Sequence, residues 1–188
     1  MDAARKLAEY DDLLSLPQGT RAEILAGEIV VSPGALPEHG RIQSGIGRQI
    51  GGPFDDDDGR GGPGGWWILP EVDVRLARND VVRPDVTGWR RVRLPSPWGV
   101  RPIDVVPDWI CEIESPSTGA IDRTRKAALY AAHGVPHYWL VDPVARTLEA
   151  LTLRDGAWLR AAYADGDVAR VAPFEAVELD VGRLFPPR

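Results

Sequence analysis

Hydrophobic residues in the first fifty positions follow patterns that predict a short helix, a hairpin and a second helix. Residues 9–16 place acidic side chains ahead of a group of leucines, which favours a short helix. Two apolar runs, 22–25 and 28–31, are joined by Ala26-Gly27 and therefore predict a β-hairpin. Apolar side chains then recur every four residues across 37–50, as expected of a helix with one apolar face.

Residues 51–65 are predicted to form a mobile loop. The segment is rich in glycine and contains four consecutive aspartates, so it offers too little apolar surface to offset the entropy lost on ordering it. The aspartate run could also be interpreted as a metal site. Adjacent residues on a flexible tether lack preorganised geometry, however, and a solvated loop is favoured.

The remaining chain alternates between predicted strands and one clear helix, at 119–133. Apolar runs or apolar-polar alternation predict strands at 66–76, 81–89, 109–114 and 137–142, and a C-terminal β-meander at 147–153, 157–163 and 168–171. Pro84 lacks a backbone donor, so its strand should lie at an edge or begin pairing after the proline. The order of elements predicts one α/β domain with a mixed α+β sheet, spanning residues 1–188.

Composition narrows the classes of function. The 188 residues include 28 acidic and 22 basic side chains, and the net charge of -6 argues against a protein that coats nucleic acid through bulk charge. With one cysteine, Cys111, and three histidines, the chain has no cluster of zinc-binding spacing. No apolar run reaches the ~20 residues that span a bilayer, and the N-terminus shows no secretory pattern, so we expect a cytoplasmic protein without membrane contact.

Candidate chemistry begins with carboxylates in the predicted strand 109–114. Glu112 and Glu114 are two residues apart and should share one face of the sheet. Buried carboxylates need a cation, protons or arginine partners, and this strand alone favours salt bridges and a metal site about equally. Asp85 shifts the balance, because pairing of its strand with 109–114 would bring three carboxylates together, which suits a hard cation such as Mg²⁺.

The predicted helix supplies further polar residues to the same place. Asp122, Lys126 and Tyr130 follow one another at four-residue steps and should lie on one face. The surrounding alanines would let this face lie close to the sheet. A lysine beside carboxylates and a metal can stabilise charge developing on phosphorus or position an attacking water.

These motifs resemble the Uma-type family of restriction endonucleases, within the PD-(D/E)XK nuclease superfamily. The resemblance extends from about residue 7 to 186, and its motifs are 22–28, His39, 83–85, 106–118, Asp122, Lys126, Tyr130 and 134–143. It implies a restriction-endonuclease-like core preceded by N-terminal helix-hairpin-helix elements.

The resemblance also implies roles for individual residues. Asp85 and Glu112 would bind Mg²⁺, with Mn²⁺ as an alternative, while Lys126 would act from the helix and Glu23 would line the site. One departure concerns Glu114, which stands where the superfamily has lysine and this family commonly has an apolar residue. It could add a third metal ligand or disturb the charge balance of the site.

Substrate contacts are predicted from a locally basic stretch. Arg83, Arg90 and Arg91 are candidate phosphate-binding residues, although a solvated surface explains them equally well. His39 is a candidate substrate-binding residue and general base, although a lone histidine near a helix start is more often a cap or surface group. Uncovered sheet edges and the tryptophan-rich segment 89–109 predict a homodimer.

The predicted function is therefore Mg²⁺-dependent hydrolysis of DNA phosphodiester bonds. The main alternative is a catalytically silent scaffold or nucleic-acid-binding module on the same fold, because fold does not establish activity. A phosphoesterase acting on small esters is a third possibility.

Overall fold

A six-stranded mixed sheet forms the centre of the computed structural model, which describes residues 6–56 and 61–187. The strands in the described residues are β1 (Ala22–Leu25), β2 (Glu28–Val31), β3 (Trp66–Pro70), β4 (Val74–Ala77), β5 (Asp80–Val82), β6 (Val86–Arg90), β7 (Trp109–Ile113), β8 (His137–Asp142), β9 (Thr147–Arg154), β10 (Ala157–Ala164), β11 (Val168–Ala169) and β12 (Leu179–Asp180).

The α-helices are α1 (Tyr10–Leu14), α2 (Pro37–Ile46), α3 (Gly119–Ile121) and α4 (Ala127–Ala132). A π-helical segment, Gly47–Asp56, continues α2, and a second one, Asp122–Lys126, joins α3 to α4. The last three of these pieces, α3, Asp122–Lys126 and α4, are called the crossover helix below. A short 3₁₀ turn at Gly182–Leu184 follows β12.

The sheet order explains how the crossover helix reaches the centre of the molecule. The six strands run in the order β10-β9-β8-β7-β6-β3, and only the β7–β8 pair among them is parallel. Parallel neighbours require a crossover connection, which the crossover helix provides. A second sheet has the order β2-β1-β5-β4, and β11 pairs with β12 in a third.

Both faces of the central sheet are covered, and this fixes the direction of the β7 side chains. Trp109, Cys111 and Ile113 point into a core shared with α2 and its π-helical continuation. Ile110 points to the opposite face, into a core shared with the crossover helix. Strand alternation therefore places Glu112 beneath the crossover helix.

Two predicted strands are each divided between two sheets. The segment 66–76 breaks near Glu71, whose φ of 51° lies in the left-handed region and ends the extended conformation. The segment 81–89 breaks around Pro84, and pairing of β6 resumes at Val86, as the missing proline donor requires. The breaks place β5 beside β1 and β4 beside β5, and they leave β3 and β6 in the central sheet.

The prediction of a loop at 51–65 is wrong at its beginning. Gly47–Asp56 is helical, and Phe54 is buried with its ring centroid 4.7 Å from that of Phe174. The composition of 51–65 suggests too little apolar surface to order the segment. Phe54 nevertheless anchors its beginning, because the ring packs into a core cluster that is rich in aromatic side chains. Residues 57–60 of the predicted loop lie outside the described residues.

The C-terminal strands also differ from the predicted meander. β9 and β10 form an antiparallel hairpin of eight paired residues each, but β11 pairs with β12 instead of extending that hairpin. Val171 and Phe174, which follow β11, are buried in the core, and this draws the chain away from β10. Within the described residues, no helix is both long and apolar enough to cross a membrane.

Candidate active site

The candidate site is built where β6 and β7 begin their antiparallel pairing. Val86 lies opposite Cys111 in this antiparallel pair. Asp85, which directly precedes Val86, is therefore brought beside Glu112, which directly follows Cys111. Asp85 Oδ2 accepts a hydrogen bond of 2.7 Å from the backbone N–H of Ile113. Both carboxylates are only 3% exposed. The sheet register therefore supplies a buried pair of acids.

Glu112 receives two donors from the crossover helix. Lys126 Nζ lies 2.9 Å and the Tyr130 hydroxyl 2.7 Å from the same carboxylate oxygen, Oε1. The two donors are four residues apart on one helix face, as their spacing predicts. Burial raises the pKa of Glu112 well above its ordinary value; Lys126 opposes this change, and neighbouring carboxylates reinforce it.

Lys126 is the central cation of the cluster. Its Nζ lies 2.8 Å from Glu23 Oε2, 2.9 Å from Glu112 Oε1 and 3.5 Å from Asp122 Oδ1. Burial disfavours a charged lysine, but attraction to these three carboxylates outweighs it and raises the pKa of Lys126 well above its ordinary value. The lysine is therefore protonated, and it connects β1, β7 and the crossover helix.

Asp85 is held by a different set of groups. Its Oδ1 contacts the guanidinium of Arg21 and lies 3.1 Å from His39 Nε2, outside hydrogen-bond geometry. Gln43 donates to the Asp85 backbone carbonyl at 2.8 Å. Burial acts against the carboxylate, but His39, the Ile113 N–H and Arg21 lower the pKa of Asp85 below its ordinary value. Asp85 is therefore ionised.

Carboxyl groups outnumber permanent cations in this cluster. Two permanent cations, Arg21 and Lys126, face four buried carboxylates, which are Glu23, Asp85, Glu112 and Asp122. The buried Oδ1 of Asp122 has no hydrogen-bond partner among the described residues. Such an excess suits a proton or a hard divalent cation, so the donor chemistry fits Mg²⁺.

The same residues are not yet arranged as a ligand shell. Across residues 6–56 and 61–187, no three histidine, cysteine or carboxylate side chains are grouped so that they could hold a metal. The contacts give a physical reason. Lys126 lies between Glu112 and Glu23, while Arg21 and His39 crowd Asp85 Oδ1. A cation that binds Asp85 would therefore compete with part of this arrangement.

Glu114 has an arginine partner. Arg123 of the crossover helix places Nε 2.7 Å from Glu114 Oε1 and donates to Oε2 at 2.7 Å. Arg123 also contacts Glu149 of β9 at 2.7 Å. Burial raises the pKa of Glu114, and Arg123 opposes that change. Glu114 therefore forms the salt bridge that is one of the two alternatives left open by the sequence. A metal-binding role for Glu114 stays a prediction.

The predicted substrate-binding arginines do not lie together. The Arg83 N–H donates to Glu23 Oε1 at 2.7 Å, while the Arg83 side chain turns to Asp73. Arg90 is the last residue of β6 and Arg91 follows it, so both lie at the opposite end of this strand from Asp85. Their guanidinium groups lie 4.7 Å from the Trp66 ring centroid and 4.0 Å from the Trp67 ring centroid, respectively. Arg83 and His39 line the site, whereas Arg90 and Arg91 do not.

A cavity of about 750 Å³ opens above the carboxylates. Its walls come from residues 32–36 after β2, 115–118 after β7 and 142–144 at the end of β8. The side chains of Leu36 and Val144 are exposed at its rim. The acidic cluster therefore forms the floor of a pocket whose entrance is partly apolar.

Two residues of the site were missed by sequence reasoning. Arg21 precedes Glu23 by two residues, which is the spacing of side chains on one face of a strand. Gln43 follows His39 by four residues, which is the spacing of one helix face. Both signals are present, but neither residue type has a partner that the sequence alone identifies.

Comparison with known proteins adds two findings. The family model described as "Uma2: Putative restriction endonuclease" matches residues 7–182. A crystal structure described as "a putative nuclease belonging to DUF820 from Anabaena variabilis ATCC 29413" has a TM-score of 0.75 and 21% identity, covering 95% of this chain and 97% of the other. No curated protein matches the chain significantly. The solved structure is similar in fold, and the family match confirms the resemblance that the motifs indicate.

Proposed function

Since the chain belongs to the Uma2 family, which is described as "Putative restriction endonuclease", we propose that it is a Mg²⁺-dependent endonuclease that hydrolyses DNA phosphodiester bonds. The main support is the 2.9 Å contact between Lys126 Nζ and Glu112 Oε1. Glu112 lies on β7, which pairs with β6, the strand that begins directly after Asp85. Carboxylates on paired strands with a charged lysine are suited to phosphoryl chemistry.

The proposed mechanism assigns a role to each buried group. Asp85 and Glu112 would hold Mg²⁺ or Mn²⁺, which when bound polarises the phosphoryl oxygen. Lys126 orients the attacking water or stabilises the charge that develops on the phosphate. Tyr130 holds Glu112 Oε1, and Glu23 holds the lysine from the opposite side. In the hydrolysis the water oxygen bonds to phosphorus and releases one proton to solvent, the bond between phosphorus and the leaving oxygen breaks, and that oxygen takes up a proton from solvent.

One observation favours the alternative of a catalytically silent module. Both oxygens of Asp85 already have partners, since Oδ2 accepts from Ile113 and Oδ1 contacts Arg21 and His39. A site closed in this way would keep the fold and lose the reaction. The two functions differ in whether DNA is cleaved when a divalent cation is present; binding of the cation by itself would appear as stabilisation of the folded state by mass action.

A plasmid-cleavage assay tests the proposal. Supercoiled DNA incubated with the protein should be nicked or linearised in Mg²⁺ or Mn²⁺ and should stay intact in EDTA. Glu112→Gln should abolish cleavage. Glu28→Gln is a matched control, because Glu28 lies exposed on β2 and pairs with Arg125 at 2.8 Å.

Other outcomes identify the alternatives. Binding of Mg²⁺ or DNA without cleavage of any DNA substrate would contradict the nuclease proposal and favour the silent module. Hydrolysis of p-nitrophenyl phosphate without DNA cleavage would indicate a phosphoesterase for small esters.

A further inference from the structure

Arg21 bridges a buried and an exposed acid at the entrance of the cavity. It lies just before β1, and one terminal nitrogen contacts Asp85 Oδ1. The other terminal nitrogen lies 3.3 Å from Glu71 Oε1. The Arg21 side chain is 22% exposed, whereas that of Asp85 is 4% exposed. The guanidinium therefore covers Asp85, the candidate ligand that lines the cavity just before β6.

A divalent cation on Asp85 would compete with this contact. Asp85 Oδ2 accepts a hydrogen bond from the backbone N–H of Ile113 at 2.7 Å, and Oδ1 is the oxygen that Arg21 covers. A cation at Oδ1 would compete for the same lone pairs and would repel the adjacent guanidinium. Binding of the cation therefore weakens the Arg21 contact and favours release of Arg21 from Asp85.

Arg21 is also the cavity-lining cation that is best placed to move. Lys126 is 7% exposed and enclosed by carboxylates. Arg83 is tied to buried Asp73 at 2.6 Å, and Arg123 is clamped between two glutamates. Among the cations of the described residues that line the cavity, only Arg21 contacts one buried acid and one exposed acid.

We propose that Arg21 changes partners during the reaction, holding Asp85 in the metal-free protein and binding the substrate phosphate once a divalent cation has taken its place on Asp85. A guanidinium presents paired donors that match phosphate oxygens. The released Arg21 lies at the mouth of the cavity, where a phosphate would enter. The inference rests on the proposed function, because it gives the phosphate of that substrate a binding residue.

The test is the Arg21→Gln variant, measured by two binding assays that need no turnover. Calorimetry gives the affinity for Mg²⁺ without DNA, and the anisotropy of a fluorescein-labelled DNA oligonucleotide in Ca²⁺ gives the affinity for nucleic acid. We expect the variant to bind Mg²⁺ about fivefold or more tightly and to bind the oligonucleotide about fivefold or more weakly. A structural role would move both affinities in the same direction.

Two further variants serve as controls. Arg83→Gln removes a cation that lines the same cavity but is tied to Asp73, so the Mg²⁺ affinity should not rise. Arg21→Lys keeps a positive charge and should return the Mg²⁺ affinity toward that of the wild type. If Arg21→Gln does not fold, as judged by its melting curve without metal, Arg21→Lys replaces it and should show smaller changes of the same signs.

The failures of the two proposals are distinguishable. If the wild type cleaves plasmid and Arg21→Gln has an unchanged or weaker Mg²⁺ affinity, or an unchanged DNA affinity, the role of Arg21 is overturned and the nuclease proposal stands. If the wild type does not cleave but the variant shows the two opposite affinity changes, the nuclease proposal fails and the exchange of partners is supported. Failure of the wild type to bind Mg²⁺ overturns both.

Discussion

At the scale of single residues, the buried carboxylates of the site are stabilised to different degrees. Arg21, His39 and a backbone N–H stabilise the charge of Asp85, whereas Glu112 must share Lys126 with two other acids. The pKa of Asp85 is accordingly lowered and that of Glu112 is raised. Substitution of Glu112 should therefore separate function from stability.

Glu112→Gln should abolish Mg²⁺-dependent cleavage and leave the apo fold as stable as the wild type or more stable. The glutamine oxygen can still accept from Lys126 and Tyr130, while one repelling charge is removed. Because the folded-state pKa of Glu112 is raised, the folded protein binds more protons than the unfolded chain above about pH 4.5. Wild-type stability from this group therefore falls as the pH rises from 4.5 through the raised pKa.

Urea unfolding without metal at pH 5 and pH 8 checks this prediction. The advantage of Glu112→Gln over the wild type should be larger at pH 8. A loss of about 3 to 5 kcal/mol in the variant would show instead that Glu112 is a structural ion-pair partner.

Asp73 is the matching example of a structural carboxylate. It accepts from the Tyr10 hydroxyl at 2.9 Å and from Arg83 and Arg101 at 2.6 Å each. Burial acts against the charge, but these donors outweigh it and lower the pKa of Asp73. The stabilisation is present above the ordinary pKa of 3.8 and is lost as the pH falls toward the lowered value.

Asp73→Asn should reduce the free energy of unfolding by about 3 kcal/mol at pH 7, because it leaves two arginines without their carboxylate. The difference from the wild type should shrink as the pH falls below about 4, because the unfolded chain then takes up a proton at this carboxyl before the folded protein does. Urea unfolding from pH 7 to pH 3 measures both. Asp104→Asn, at an exposed ion pair, is the control and should change stability by under about 1 kcal/mol.

At the scale of elements, the π-helical segment Gly47–Asp56 depends on tertiary packing. The Phe54 ring packs in the core against Phe174, which in turn packs against Trp66. Glycines and a proline give the segment a low intrinsic helix propensity, so this contact should supply much of its stability.

Phe54→Ala should therefore lower the free energy of unfolding by about 3 to 5 kcal/mol. Thermal and urea melting measure the loss. Val92→Ala, at an exposed apolar side chain, should change stability by no more than about 0.5 kcal/mol. A cost below 1 kcal/mol for Phe54→Ala would contradict a docked helix.

At the scale of the whole molecule, the prediction of a homodimer is supported mainly by the exposed edge strand β10 of the central sheet. Trp89 and Trp109 are buried in the core, so of the segment 89–109 only Trp98 presents a large exposed tryptophan, at 63%. β10 remains at the edge of the central sheet, with eight residues that are mostly exposed. An uncovered edge of this length favours pairing with another chain.

Sedimentation velocity at micromolar concentration should show a dimer. Leu159→Lys places a charge on β10 and should shift the population to monomer, while Val92→Lys should not. A wild-type protein that sediments only as a monomer would count against the dimer.

Much of the fold follows from local patterns. The hairpin of β1 and β2 is predicted by Ala26-Gly27, and both residues have the positive φ that its turn needs, 52° and 76°. The assignment of the divided strands to two sheets and the helical conformation beyond residue 50 were not predicted, although Pro84 does predict that pairing of β6 resumes after it. Each depends on which sheet or core receives the segment, and no neighbouring residue in the sequence encodes that.

The candidate site also has one part that the sequence predicts and another that only the tertiary structure determines. Periodicity alone places Glu112 and Glu114 on one sheet face, and Lys126 and Tyr130 on one helix face, because side-chain direction repeats within an element. Only the tertiary structure decides that Glu112 receives the lysine while Glu114 receives Arg123, and that Arg21 lies against Asp85. These partners come from different elements, so their pairing is determined by how the sheet, its register and the crossover helix meet.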